Sequence, residues 1–252
     1  MNIKKLKEYK LFGNQELLDL KILENQGVCN TIYKLQTSKK TYSIRVFKHT
    51  HTQKKKREIE FKIQNKAYKK DIGAKAYILD KKNSLMICDF IKGEHKEKLT
   101  KANIKAVVKT LKKLHSIKIK KKPYDLKKDF KNYEKLFKDR KIKTLAKESL
   151  KQLHTLKRYK KDLVLCHHDL NQKNILFNQN KAFFIDWEFA CINDRFFDLA
   201  ALCIEFKLND KQEKYLLKEY FKKVKKEHKE KLKAYKKICT NLWILWFEAL
   251  KK

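Results

Sequence analysis

The chain has 252 residues, of which 42% are hydrophobic and 37% charged, and its 65 lysines and arginines stand against 29 acids for a formal charge of +36. That hydrophobic share argues against disorder and is enough for one large domain or two closely joined lobes, while four glycines and one proline exclude a collagen-like or proline-rich architecture. The cation excess makes nucleic acid, an anionic membrane or a polyphosphate ligand plausible partners, although lysine dispersed this evenly points only weakly to any of them.

In chain order, residues 1–11 alternate lysine with single apolar residues and offer no apolar run of the kind a secretory signal needs. Short β segments are predicted at 31–35, 41–47, 76–79 and 85–88, each mixing β-branched or aromatic residues with polar boundaries. Between the second and third, residues 52–70 suit a helix, with Ile59, Phe61, Ile63 and Ala67 as its apolar positions. After Gly93 the texture turns helical. Ile104, Val107, Val108, Leu111 and Leu114 mark one face of a helix over 102–115. Residues 123–161 are lysine-rich with periodic Leu, Phe and Tyr and are expected to be helical; whether they cover a site or lie on the surface is open. A strand-like block at 163–185 is broken by polar turns, and 196–252 reads as three helices. The coarse expectation is an α+β chain with a small β-rich lobe holding one helix (1–90) and a larger, mainly helical lobe (91–252).

No stretch approaches the ~18 uncharged apolar residues of a membrane-crossing helix, so no membrane insertion is expected. Cys29, Cys88, Cys166, Cys191, Cys203 and Cys239 include no CxxC pair, and free thiols in a cytoplasmic protein are the simplest reading.

One segment carries chemistry. Residues 166–177 read Cys-His-His-Asp-Leu-Asn-Gln-Lys-Asn-Ile-Leu-Phe, placing Asp169 and Asn174 on one loop between apolar strands. Phosphoryl transfer uses such a pair: the carboxylate takes the acceptor's hydroxyl proton, and the amide oxygen helps hold Mg²⁺. Residues 183–190, Phe-Phe-Ile-Asp-Trp-Glu-Phe-Ala, put Asp186 at the end of an apolar strand, where it can reach the same hard cation. Either residue of the first pair alone is an ordinary turn residue; the three together are not. From Leu163 to Phe206 six carboxylates face three cationic side chains, a net of −3 inside a chain of +36, which suits a metal and a cationic substrate better than a nucleic acid. His167 and His168 lack partners at zinc spacing, and a loop-bracing role for His167 is expected.

These segments resemble the catalytic loop and metal-binding strand of the protein-kinase-like fold in its small-molecule branch, which holds aminoglycoside phosphotransferases and choline/ethanolamine kinases. The bacterial LicA-type choline kinases resemble this chain in length as well. The resemblance extends over most of the chain and implies a bilobal kinase fold with ATP and Mg²⁺ as cofactors. It implies further that Gly27 and Asn30 belong to a phosphate-covering loop, with one glycine where protein kinases have three. Arg45 stands where protein kinases place a phosphate-binding lysine, and choline kinases are similar in having arginine there. Glu60 matches the helix acid that pairs with that cation, Ile87 and Asp89 the hinge that meets adenine through its backbone, and Asp198 a brace for the catalytic loop. Taken alone, Arg45 on an alternating strand and Glu60 on a helix are equally compatible with solvent-facing charges.

For the acceptor, Trp243 and Trp246 lie three residues apart on one predicted helix. A trimethylammonium group offers no hydrogen bond and is held by aromatic faces and carboxylates. Trp187, Trp243 and Trp246 are the candidate walls, with Glu188 and Glu205 supplying negative charge, although core packing also explains an apolar tryptophan pair. The implied partner is choline; ethanolamine or an aminoglycoside are the alternatives. A basic nucleic-acid binder is the reading of another class, motivated by Lys54-Lys-Lys-Arg57 and the lysines at 118–122, but no specific nucleic-acid signature accompanies them. Oligomeric state is not legible.

Overall fold

The computed structural model describes residues 2–23, 30–48 and 54–251. The chain divides into two compact units, Met1–Gly93 and Glu94–Lys252.

The first unit opens with a short helix, α1 (Ile3–Lys7), capped by Asn2, and continues into an antiparallel sheet. Its strands are β1 (Leu17–Ile22), β2 (Asn30–Thr37), β3 (Thr41–Phe47), β4 (Ala76–Asp80) and β5 (Leu85–Asp89), in the order β1-β2-β3-β5-β4. Helix α2 (Lys54–Tyr68) joins β3 to β4. Alternation sorts the strands into two faces. Leu35, Tyr42, Ile44, Leu85 and Ile87 share one face, buried beneath Leu6, Phe12 and Leu17. Phe47, Met86 and Cys88 belong to the other, with Phe61 of α2 packed against them. Arg45 lies on this second face, paired in register with Ile32 and Met86.

Neither α1 nor β1 is marked by a pattern in the sequence. In β1 only Leu17 is fully buried, and Asp19 and Lys21 break the apolar alternation of what is an edge strand.

The second unit begins with α3 (Lys101–His115), started by a reciprocal cap in which Thr100 and Asn103 satisfy each other's backbone N–H groups. Its apolar stripe is buried as the periodicity predicts. Helices α4 (Leu126–Leu136) and α5 (Arg140–Thr155) follow, capped by Asp125 and Asp139. Four short strands come next: β6 (Leu163–Cys166), β7 (Ile175–Asn178), β8 (Lys181–Phe184) and β9 (Cys191–Asp194). They form two antiparallel pairs, β6 with β9 and β7 with β8. The last strand is absent from the sequence reading, because Cys-Ile-Asn-Asp is too short and mixed to signal a strand. Three helices complete the unit: α6 (Phe196–Glu205), α7 (Asp210–Phe221) and α8 (Lys226–Leu250). Residues 196–203 of α6 are all buried, and the helix packs on α8. No helix among the described residues is long and apolar enough to cross a membrane.

Candidate active site

The two strand pairs of the second unit are joined by two connections, residues 167–174 and 185–190, which lie side by side because β6 pairs β9 outside and β7 pairs β8 inside. The β7–β8 ladder continues one step further, with Ile185 N–H donating to the Asn174 carbonyl at 3.1 Å. Register therefore sets Asn174 opposite the residue preceding Asp186. That is how two positions twelve apart in the chain arrive at one place.

Asp169 is held by two amides. Asn174 Nδ2 donates to its Oδ2 at 2.8 Å and to its backbone carbonyl at 2.9 Å, and Asn171 Nδ2 donates to Oδ1 at 3.2 Å. Asn171 also caps the short turn at Gln172–Asn174 by accepting from the N–H groups of Lys173 and Asn174. The Asp169 carboxyl is pushed above its ordinary value by burial, and the nearby Asp186 charge adds to the rise; His167 and the two amides pull the other way. Asp186 sits in the left-handed region at φ 64, a conformation that costs a non-glycine residue about 1–2 kcal/mol and is kept only where surroundings impose it.

The donor set fits a hard cation. With its Nδ2 on Asp169, Asn174 has its carbonyl Oδ1 left as a ligand atom, and Asp186, near enough for its charge to raise the Asp169 carboxyl, is the other candidate oxygen donor.

Beneath the loop lies Asp198, 0% exposed. Its Oδ2 accepts from the His167 N–H at 2.8 Å and its Oδ1 from the His168 N–H at 2.9 Å. His115 Nε2 approaches Oδ2 at 3.1 Å, while His115 Nδ1 lies 2.6 Å from the Tyr220 hydroxyl. Tyr220 accepts from Arg195 Nη1 at 3.2 Å, and Arg195 Nη2 donates to Asp162 at 2.5 Å. A chain of hydrogen bonds thus runs from Asp162 to the loop's backbone. Burial raises the Asp198 carboxyl, but the His115 hydrogen bond and charge, the loop N–H group and His167 outweigh it and hold it below the usual range. His115 and Tyr220 are absent from the sequence reading; 83 residues separate His115 from Asp198, and no local pattern marks the pair.

His167 is fully buried, and its Nε2–H donates to the Ile185 carbonyl at 2.9 Å, tying the two connections together. Its Nδ1 is buried with no hydrogen-bond partner among the described residues. His168, at φ 70, stacks on Phe197 at 3.8 Å, meets Tyr124 at 4.8 Å and accepts from Asn193 Nδ2 at 3.0 Å. Burial lowers its pKa to about 4. Pro123 and Tyr124 are anchored to Ile192 of β9, so residues just ahead of α4 reach the flank of the 167–174 connection.

In the first unit Arg45 and Glu60 meet. Arg45 Nη1 donates to Glu60 Oε1 at 2.6 Å, with both side chains buried. Neither is the solvent-facing charge that alternation alone permits. Asn30 is buried at the start of β2, whereas Gly27 lies outside the described residues. Ile87 is in the core on the sheet face opposite Arg45, and Asp89 has its carboxylate on Lys40 at 2.6 Å and Tyr77 at 3.1 Å. Neither side chain shares Arg45's face, so any nucleotide contact from these two is through backbone atoms.

Of the acceptor candidates, Trp187 departs from the sequence expectation. It is 1% exposed and packs on His167 at 4.8 Å and Phe184 at 6.4 Å, so it presents no open face for a cage wall. An indole directly after Asp186 is turned inward, filling the space under both connections. Trp243 is half-buried and Trp246 is 37% exposed on α8, where Trp246 meets the edge of Phe247 at 5.0 Å. Glu205 is half-buried at the end of α6. Its backbone carbonyl accepts from Gln172 Nε2 at 2.8 Å, and its carboxyl is raised by burial and further by the Asp169 charge, which places it in the electrostatic range of the loop. Glu188 is half-buried two residues beyond Asp186.

Residues 23–235 match the phosphotransferase enzyme family (APH), and the chain belongs to that family. It is similar to protein LicA of Haemophilus influenzae, 26% identical over 208 residues that span 75% of this chain and 61% of the relative. The crystal structure of choline kinase LicA from Streptococcus pneumoniae superposes with a TM-score of 0.78 at 22% identity, covering 97% of this chain and 89% of that one. LicA in complex with AMP superposes with a TM-score of 0.73 at 20% identity, covering 97% and 88%. The fold is thus the α+β kinase-like fold.

Proposed function

We propose that this chain is an ATP-dependent kinase that phosphorylates the hydroxyl of choline. The observation that carries the kinase reading is the clasp of Asn174 on Asp169, set by the β7–β8 register beside Asp186. One amide thereby fixes the proton acceptor with its nitrogen while its oxygen is left for a cation.

Arg45, oriented by Glu60, meets the phosphates of ATP. Asn174 and Asp186 would hold Mg²⁺, which when bound would supply charge neutralisation at the transferring phosphoryl group. Asp169 accepts and orients the acceptor's hydroxyl proton, with both oxygens steadied by amides so that little reorganisation is needed. Asp198 keeps the loop's backbone in place.

The choice of choline is supported by three things: the names of the relatives, the Glu205 carboxylate near Asp169, and the partly open Trp243 and Trp246 on α8. A cation over an indole face gains about 0.5–2 kcal/mol. Trp187 is not part of this cage.

ADP release from Mg·ATP, followed with choline, ethanolamine and kanamycin at equal concentrations, tests the proposal. Choline-dependent release is the expected result. Release with ethanolamine alone would keep the kinase and overturn the aromatic cage; release with kanamycin alone would move the acceptor to the aminoglycosides.

A further inference from the structure

The brace on the 167–174 connection does not end at Asp198. His115 Nε2 meets Asp198 Oδ2 at 3.1 Å, and that oxygen also accepts from the His167 N–H at 2.8 Å. A carboxylate oxygen only accepts, so His115 Nε2 carries the hydrogen between them. Turning the imidazole over about its Cβ–Cγ bond would put a carbon there instead. What fixes the ring is its other nitrogen. Nδ1 lies 2.6 Å from the Tyr220 hydroxyl, whose oxygen accepts from Arg195 Nη1 at 3.2 Å. A guanidinium only donates, so the Tyr220 oxygen turns a lone pair to Arg195 and its single hydrogen to His115. Arg195 is tied in turn to Asp162, through Nη2 at 2.5 Å and through its backbone N–H at 3.1 Å. Tyr220 and His115 are each 6% exposed, so water is not on hand to replace a lost partner.

We infer that Tyr220, steadied by Arg195, is a positioning residue for the 167–174 connection: it fixes the edge that His115 presents to Asp198, and with it the backbone on which Asp169 is carried. Tyr220 acts through His115 and Asp198 and touches no reacting atom; its effect on turnover rests on the kinase reading above. Without its hydroxyl, His115 is free to turn over, and Asp198 then holds the connection by the backbone N–H groups of His167 and His168 alone.

Hydrogen exchange of the full chain, read by mass spectrometry on its peptides, follows those two amides with no substrate present. Tyr220→Phe keeps the ring and removes the hydroxyl. Exchange in residues 166–170 is expected to quicken about tenfold, while α3 and α7, which carry His115 and Tyr220, stay within about twofold of the unaltered chain. Arg195→Met is expected to quicken the same segment about threefold and to add nothing in the Tyr220→Phe background. Unchanged exchange at 166–170 in Tyr220→Phe overturns the assignment. So does an equal quickening in α3 and α7, which a merely structural contact would give, and so do effects that multiply in the double variant. If Tyr220→Phe does not fold, Arg195→Met alone carries the comparison, and unchanged exchange at 166–170 overturns the assignment there too. Turnover is the second arm: kcat is expected to fall about tenfold in Tyr220→Phe with KM for ATP within about twofold, and an unchanged kcat also overturns the role. An unaltered chain with no turnover sinks the kinase reading and leaves the exchange rates to decide this one.

Discussion

Asp169 has an amide donor on each carboxylate oxygen, so Asp169→Asn turns an acceptor into a group that must offer N–H to at least one of them. Turnover is expected to fall by about 10²–10⁴-fold, the usual contribution of a positioned base, with ADP affinity retained. Single-turnover kinetics beside calorimetry checks this, and near-normal turnover removes Asp169 from its role. His168 makes a separate prediction for stability. An unfolded histidine takes its proton near 6.5, whereas the native ring resists until about 4. Unfolding thus takes up a proton between those values, and acid favours the unfolded chain there by up to roughly 3 kcal/mol. His168→Phe should flatten the stability profile between about pH 6.5 and pH 4, measured by urea unfolding; an unaltered slope refutes it. The candidate triplet shows in the sequence because Asp169, Asn174 and Asp186 are spaced between apolar strands. His115 does not, since its place beside Asp198 is set by the fold across 83 residues of chain.

At the scale of elements, β9 and α8 are locked by a buried ion pair. Lys231 Nζ lies 2.7 Å from Asp194 Oδ2, which also accepts from the Asp162 N–H, while Oδ1 accepts from the Phe196 N–H. Lys231→Met leaves Asp194 buried and without its cation, and a loss of about 3–5 kcal/mol is expected in urea unfolding. Lys226→Met removes a pair in which the lysine is 92% exposed and should change stability by less than about 0.5 kcal/mol. Equal effects would mean that burial is not what gives the inner pair its weight. Helical periodicity makes α3, α7 and α8 readable, because each buries a stripe, whereas α6 shows as an apolar run buried all round. The short strands of the second unit were harder. β6, β7 and β8 carry enough apolar residues to show, but β9 is defined by its partner β6 more than by its own residues, and β1 hides Leu17 among charges.

For the molecule as a whole, the charge of +36 is a source of self-repulsion. Raising sodium chloride from about 0.1 M to about 1 M shortens the screening length from about 10 Å to about 3 Å, and the melting temperature is expected to rise with it. A flat or falling midpoint would show that the described ion pairs outweigh the repulsion. The cysteines carry another consequence. Cys88 is buried in the first unit; Cys166, Cys191, Cys203 and Cys239 are buried in the second, and burial holds every one of these thiols well above its ordinary pKa. A thiol that is both shielded and protonated reacts with an alkylating reagent only when its surroundings open. In a Cys29→Ser background the two sets become separate clocks. The alkylation rate at Cys88 times the opening of the small unit, and the rates at the other four time the large one, so peptide mass spectrometry over a series of quench times would rank the local stabilities of the two halves without a dye, a tag or a denaturant.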